Sequence, residues 1–76
     1  MRLDPDHLRW LREQRGLSVR KLAKLAGLPE DLVAEVEEGR HRGSPDSARK
    51  LAEGLSCAGH EPVHADDLWM REDLAR

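Results

Sequence analysis

The stretch LSVRKLAKLAGLPEDLVAEVEEGRHRG, Leu17 to Gly43, decides how this 76-residue chain folds. Ser18 is a strong N-cap residue, because its hydroxyl can accept from a free amide of the first helical turn. Leu17 before it and Leu22 after it have the spacing of a hydrophobic staple. Leu22, Ala23 and Ala26 then mark one apolar face at helical spacing, which predicts a helix over Val19–Ala26. Gly27 follows, and glycine ends a helix cheaply in the left-handed conformation. Leu28 opens the next segment and Pro29 suits a first helical turn. Leu32, Val33 and Val36 give a second apolar face, so a helix is expected over Pro29–Glu38, closed by Gly39. Two short helices around a glycine turn make a helix-turn-helix.

Outward from this stretch, the same signals recur. Asp4 can cap a first helix that has Pro5 at its first position and Asp6 in its first turn, where a carboxylate suits the dipole. Leu3 and Leu8 repeat the staple spacing, and Leu8 and Leu11 face a core. Beyond Gly43, Ser44 caps a helix from Pro45 to about Leu55. Its core face is Ala48, Leu51, Ala52 and Leu55, at i, i+3, i+4 and i+7. Ser56–Pro62 reads as a loop. Ala65–Leu74 reads as a last short helix, to about residue 75, with Asp66 and Asp67 in its first turn and Leu68 turned to the core.

Composition limits the function. The chain is 38% hydrophobic and 37% charged, with no Phe or Tyr, so the core must be Leu, Val and Ala, with Trp10 and Trp69 as the only large rings. A chain this short buries about 60% of its unfolded surface, which makes one domain of modest stability. Cys57 is alone, which excludes an internal disulfide and suits a reducing cytoplasm. No apolar run reaches membrane length and no signal-peptide pattern opens the chain, so no membrane partner is expected. No nucleophile has a plausible base, no glycine loop cradles phosphate, and no carboxylate pair falls in a cleft-like context. An enzyme is not expected. Cys57, His60 and His64 have a C-x2-H-x3-H spacing to which Asp66 or Asp67 could add a fourth ligand, but structural zinc sites use paired units. The run reads as an ordinary polar loop, and no metal or cofactor is expected.

The net charge of −2 is unevenly spread. Residues 1–17 carry +1, four arginines against three carboxylates. Residues 18–38 carry −2, five carboxylates against three cations. Residues 39–50 carry +3, from Arg40, Arg42, Arg49 and Lys50 against Asp46, and residues 51–76 carry −4, six carboxylates against two arginines.

In register, Leu8, Leu11-Arg12, Gly16-Leu17-Ser18, Leu22-Ala23, Ala26-Gly27-Leu28, Val33, Val36-Glu37, Gly39, Ser44-Pro45-Asp46, Leu51-Ala52 and Leu55 resemble the Cro/repressor-type helix-turn-helix family. The resemblance covers roughly residues 6–56 and resumes weakly at Val63–Trp69. It implies an all-α, five-helix Cro/repressor-like fold over residues 1–76. It implies a small regulator that binds double-stranded DNA as a homodimer in the cytoplasm, with the third helix in the major groove. Positions matching Glu30, Asp31, Ala34 and Glu35 would face bases. The family pairs the arginine matching Arg12 with the glutamate matching Glu37, a structural ion pair. Its last helix often forms a two-fold interface, to which Leu68, Trp69, Met70 and Leu74 would contribute here. Trp10, where the family usually has a polar residue, reads either as a ring over its neighbours or as a partner contact.

Phosphate contacts are expected from Arg20, Lys21 and Lys24 on the second helix, and from Arg40, His41, Arg42 and Ser44 in the loop, where free amides at a helix start add donors. Three departures matter. Val19 replaces a frequent glutamine that bonds the DNA backbone, and Pro29 replaces a frequent Ser or Thr. The third helix also lacks the Arg, Lys, Asn or Gln that direct readout usually uses, although a carboxylate can accept from a cytosine amino group. These departures leave a second reading open: an interaction module whose acidic third helix docks on a basic protein partner.

Overall fold

The computed structural model describes residues 2–59 and 61–70. Four α-helices follow one another, α1 (Pro5–Gln14), α2 (Val19–Ala26), α3 (Glu30–Glu37) and α4 (Pro45–Ala58), and a 3-10 turn spans Ala65–Leu68. The caps explain the starts. Asp4 accepts from the amides of Asp6 and His7, and Ser18 accepts from Lys21. Ser44 and Ser47 form a reciprocal box: Ser47 N donates to Ser44 Oγ at 3.1 Å, and Ser44 N donates to Ser47 Oγ at 2.7 Å. At Gly27 the backbone takes φ 71°, ψ 33°, the left-handed turn that lets α3 depart from α2. Helix α3 is shorter by one residue at each end than its sequence pattern, and Pro29 stands at the N-cap with no side-chain bond.

The core is built from one face of each helix. Leu8, Leu11, Leu22, Ala23, Ala26, Val33, Val36, Ala48, Leu51, Ala52 and Leu55 are buried together with Leu3, Val63 and Leu68. Among the described residues no buried polar side-chain atom lacks a hydrogen-bond partner.

Two expectations are corrected. Helix α4 continues through Ser56, Cys57 and Ala58, which read as loop in the sequence. The last turn is held because the returning chain bonds to it: Val63 N donates to Ser56 Oγ at 2.9 Å, and Ser56 Oγ donates to Val63 O at 3.2 Å. The fifth helix is not found among the described residues. Ala65–Leu68 makes a single 3-10 turn, and Trp69 is extended, with φ −80° and ψ 145°. It forms an antiparallel bridge with Leu3. Asp4 N donates to Leu68 O and Met70 N donates to Arg2 O, at 2.8 and 2.9 Å. The segment therefore satisfies its backbone against the N-terminal residues instead of along a helix axis. Leu68 is fully buried in this arrangement, which removes it from the expected dimer face, while Trp69 and Met70 stay half-buried. Leu74 lies outside the described residues.

Leu3 is the pivot of this end of the fold. Its amide donates to Arg42 O at 2.8 Å, and its side chain packs under Gly43. A Cβ at Gly43 would fall 2.3 Å from Leu3 Cδ1, and the backbone there has φ +82°, so both space and conformation call for glycine.

Candidate nucleic-acid interface

Helix α3 is anchored from behind and open in front. Its inner face holds Val33, Val36 and Glu37. Arg12 on α1 meets Glu37 in two parallel bonds, Nε to Oε2 at 2.7 Å and Nη2 to Oε1 at 2.9 Å. A third donor, Nη1, reaches Leu17 O at 2.7 Å, so one guanidinium ties α1 to both α3 and the start of α2. Donating to the Glu37 carboxylate raises the Arg12 pKa above its ordinary value, against the opposing effect of burial. Arg9 adds a bond from Nη2 to the Glu37 carbonyl at 3.0 Å, a cation at the C-terminal end of α3 where the helix dipole favours it.

The open face carries Glu30, Asp31 and Glu35, all exposed, with Ala34 half-buried between them. None of the three carboxylates has an ion-pair partner among the described residues. Cations stand on the segments before and after α3. Arg20, Lys21 and Lys24 are exposed on α2, and Arg40, His41 and Arg42 are exposed in the loop that leaves α3.

The loop is ordered by its own bonds. Arg40 N and His41 N both reach Glu35 O, at 2.9 and 3.3 Å. Gly43 N donates to His41 Nδ1 at 2.9 Å, which places the imidazole proton on Nε2 and leaves it as an outward donor. Arg40 Nε lies 3.5 Å from Glu38 Oε1, both side chains largely exposed. Ser44 differs from its expected role. Its amide donates to Ser47 Oγ at 2.7 Å and its hydroxyl lies 3.1 Å from the same oxygen, whose own hydrogen goes to Ser44 O, so neither group stands free for a ligand. Arg49 and Lys50, which add to the positive charge of residues 39–50, both engage Asp46 one turn back. The bond from Arg49, and then Lys50, holds the Asp46 carboxyl below the usual carboxylate range.

The remaining candidates fall elsewhere. Trp10 is 55% exposed and stacks on His7, with ring centroids 6.1 Å apart and planes 9° from parallel. Cys57 and His64 are exposed, His60 lies outside the described residues, and among the described residues no three His, Cys, Asp or Glu side chains gather. No helix of the described residues is long and apolar enough to cross a membrane. Sequence reasoning passed over Arg2 and Arg9 as neighbours of α3, and Arg15, which bonds Leu11 O, Leu55 O and Glu61 O. Arg9 was within reach of sequence reasoning, being one helical turn before Arg12 on α1.

The model of a family described as a helix-turn-helix domain matches residues 6–64. No curated protein and no solved structure matches.

Proposed function

The chain belongs to the helix-turn-helix domain family, and from that membership we propose that it is a small regulator that binds double-stranded DNA. Helix α3 enters the major groove, with Glu30, Asp31, Ala34 and Glu35 toward the bases. Arg20, Lys21, Lys24, Arg40 and Arg42 contact phosphates, with His41 Nε2 assisting. The observation that carries this reading is the ordered cationic loop leaving α3. Glu35 O takes two of its amides, so the arginines are presented on a fixed backbone. The chain acts as a homodimer through Trp69 and Met70, both half-buried in the single chain. A two-fold dimer would present two α3 helices to half-sites about 34–36 Å apart. Light scattering that shows only monomer at high micromolar concentration removes the dimer from the proposal.

The test of DNA binding is a titration on random-sequence duplex at several salt concentrations. If Arg40 and Arg42 meet phosphates, the Arg40→Ala/Arg42→Ala variant weakens binding on every sequence alike. Its salt slope falls by roughly one unit per lost contact. A slope equal to wild type excludes the loop from the interface.

The three unpaired carboxylates of α3 favour one further reading, in which this helix docks on a basic protein surface. In that case random duplex is not bound at any salt concentration, and substitution of the carboxylates abolishes binding to a cationic protein.

A further inference from the structure

Arg2 precedes Leu3, and the two residues point to opposite sides of an extended backbone. Leu3 goes inward, 2% exposed, and Arg2 is exposed. The backbone around them is held on both sides. Leu3 N donates to Arg42 O at 2.8 Å, and Met70 N donates to Arg2 O at 2.9 Å. Arg2 is thereby fixed beside the loop that leaves α3. Its guanidinium reaches Gly39, where a Cβ would lie 3.9 Å from Arg2 Nη2. Arg40 is the next residue, and Arg42 is the one bonded to the neighbouring amide.

The acids at this end of α3 are already served. Arg12 takes both oxygens of Glu37, and Arg40 lies against Glu38. Arg2 forms no ion pair among the described residues. A cation whose backbone is already held, with no acid to neutralise it, has its charge free for an incoming anion and only its side chain left to order. We propose that Arg2 is a DNA-phosphate contact, and that Arg2, Arg40 and Arg42 clamp the backbone strand beside the C-terminal end of α3. This rests on the DNA-binding reading and adds to it a residue far from the motif in sequence. A helix-dipole role for Arg2 would stabilise α3 without touching DNA, and the two roles separate experimentally.

The full chain is titrated by fluorescence anisotropy against random-sequence duplex over a salt series, as wild type, Arg2→Gln and Arg2→Lys, with thermal unfolding of each. The proposal expects Arg2→Gln to lower the salt slope by about one unit. It expects Arg2→Lys to keep the wild-type slope and the unfolding midpoint to stay close to wild type in both. An Arg2→Gln slope equal to wild type overturns the Arg2 contact, and the Arg40→Ala/Arg42→Ala slope then shows whether the loop still binds. A lower unfolding midpoint with an unchanged slope assigns Arg2 to the helix terminus instead. Wild type that shows no salt-dependent binding overturns the DNA-binding reading, and the Arg2 contact with it.

Discussion

Replacing Glu37 by Ala is expected to cost about 3–5 kcal/mol, the range for breaking one partner of a buried ion pair. The side chain of Glu37 is 5% exposed and that of Arg12 is 13% exposed. The substitution leaves the Arg12 guanidinium in place with two of its bonds removed and little water to replace them. A domain this small starts with only a few kcal/mol in hand, so a large share of the molecules should unfold at room temperature. Urea denaturation measures it as a drop in midpoint. The mechanism makes a second, less intuitive expectation. Arg12→Met/Glu37→Leu removes both charges and both desolvation costs together, and it should be more stable than Glu37→Ala alone. A double variant that is worse than the single one would mean that the pair contributes net attraction, beyond the cost of orphaning a charge. Because the Arg12 pKa is raised, its contribution is present below the ordinary arginine value and is lost only as pH rises into strong alkali. Across the neutral range the guanidinium stays charged, so the difference in midpoint between wild type and Glu37→Ala should not depend on arginine ionisation there.

This bond shows where the sequence is legible and where it is not. The four α-helices are readable because each carries its own start signal: Asp4, Ser18 and Ser44 as caps, and Pro29 ahead of α3. Those signals act within a few residues, and nothing distant overrides them. The C-terminal segment carried similar local signals, Asp66 and Asp67 before an apolar run. Tertiary pairing prevailed there. Leu3 offers an extended edge that takes up Trp69, and the chain gives Leu68 to the core in a single turn. The end of α4 departs from its local pattern for the same reason, since Ser56 is held in helix by Val63 seven residues away. Arg12 and Glu37 stand 25 residues apart, and no periodicity links them; the family resemblance suggested that pair. Arg2 was invisible, because its position near α3 depends on a bridge between the two ends of the chain.

Removing the charges of the open face of α3 is expected to raise affinity for random duplex by about tenfold or more. In the groove, Glu30, Asp31 and Glu35 would lie close to phosphates. Each unit repulsion at a few ångströms is of order 1 kcal/mol in water-like dielectric. Three of them exceed the roughly 1.4 kcal/mol that corresponds to a factor of ten. All three side chains are exposed and lack ion-pair partners among the described residues, so no direct ion pair screens their charge. The variant Glu30→Gln/Asp31→Asn/Glu35→Gln keeps the shape and removes the charge. Glu30 and Asp31 also sit in the first turn of α3, where a carboxylate contributes about 0.3–1 kcal/mol through the helix dipole. A modestly lower unfolding midpoint should therefore accompany the tighter binding, which separates the electrostatic gain from any gain in folding. At a cognate site the effect should be smaller, because carboxylates that accept from cytosine amino groups recover part of the repulsion there. Discrimination between cognate and random duplex should fall as non-specific affinity rises. If affinity for random duplex stays negligible in both proteins while binding to a cationic protein is lost, α3 is a protein-docking helix and its acidic face is the contact.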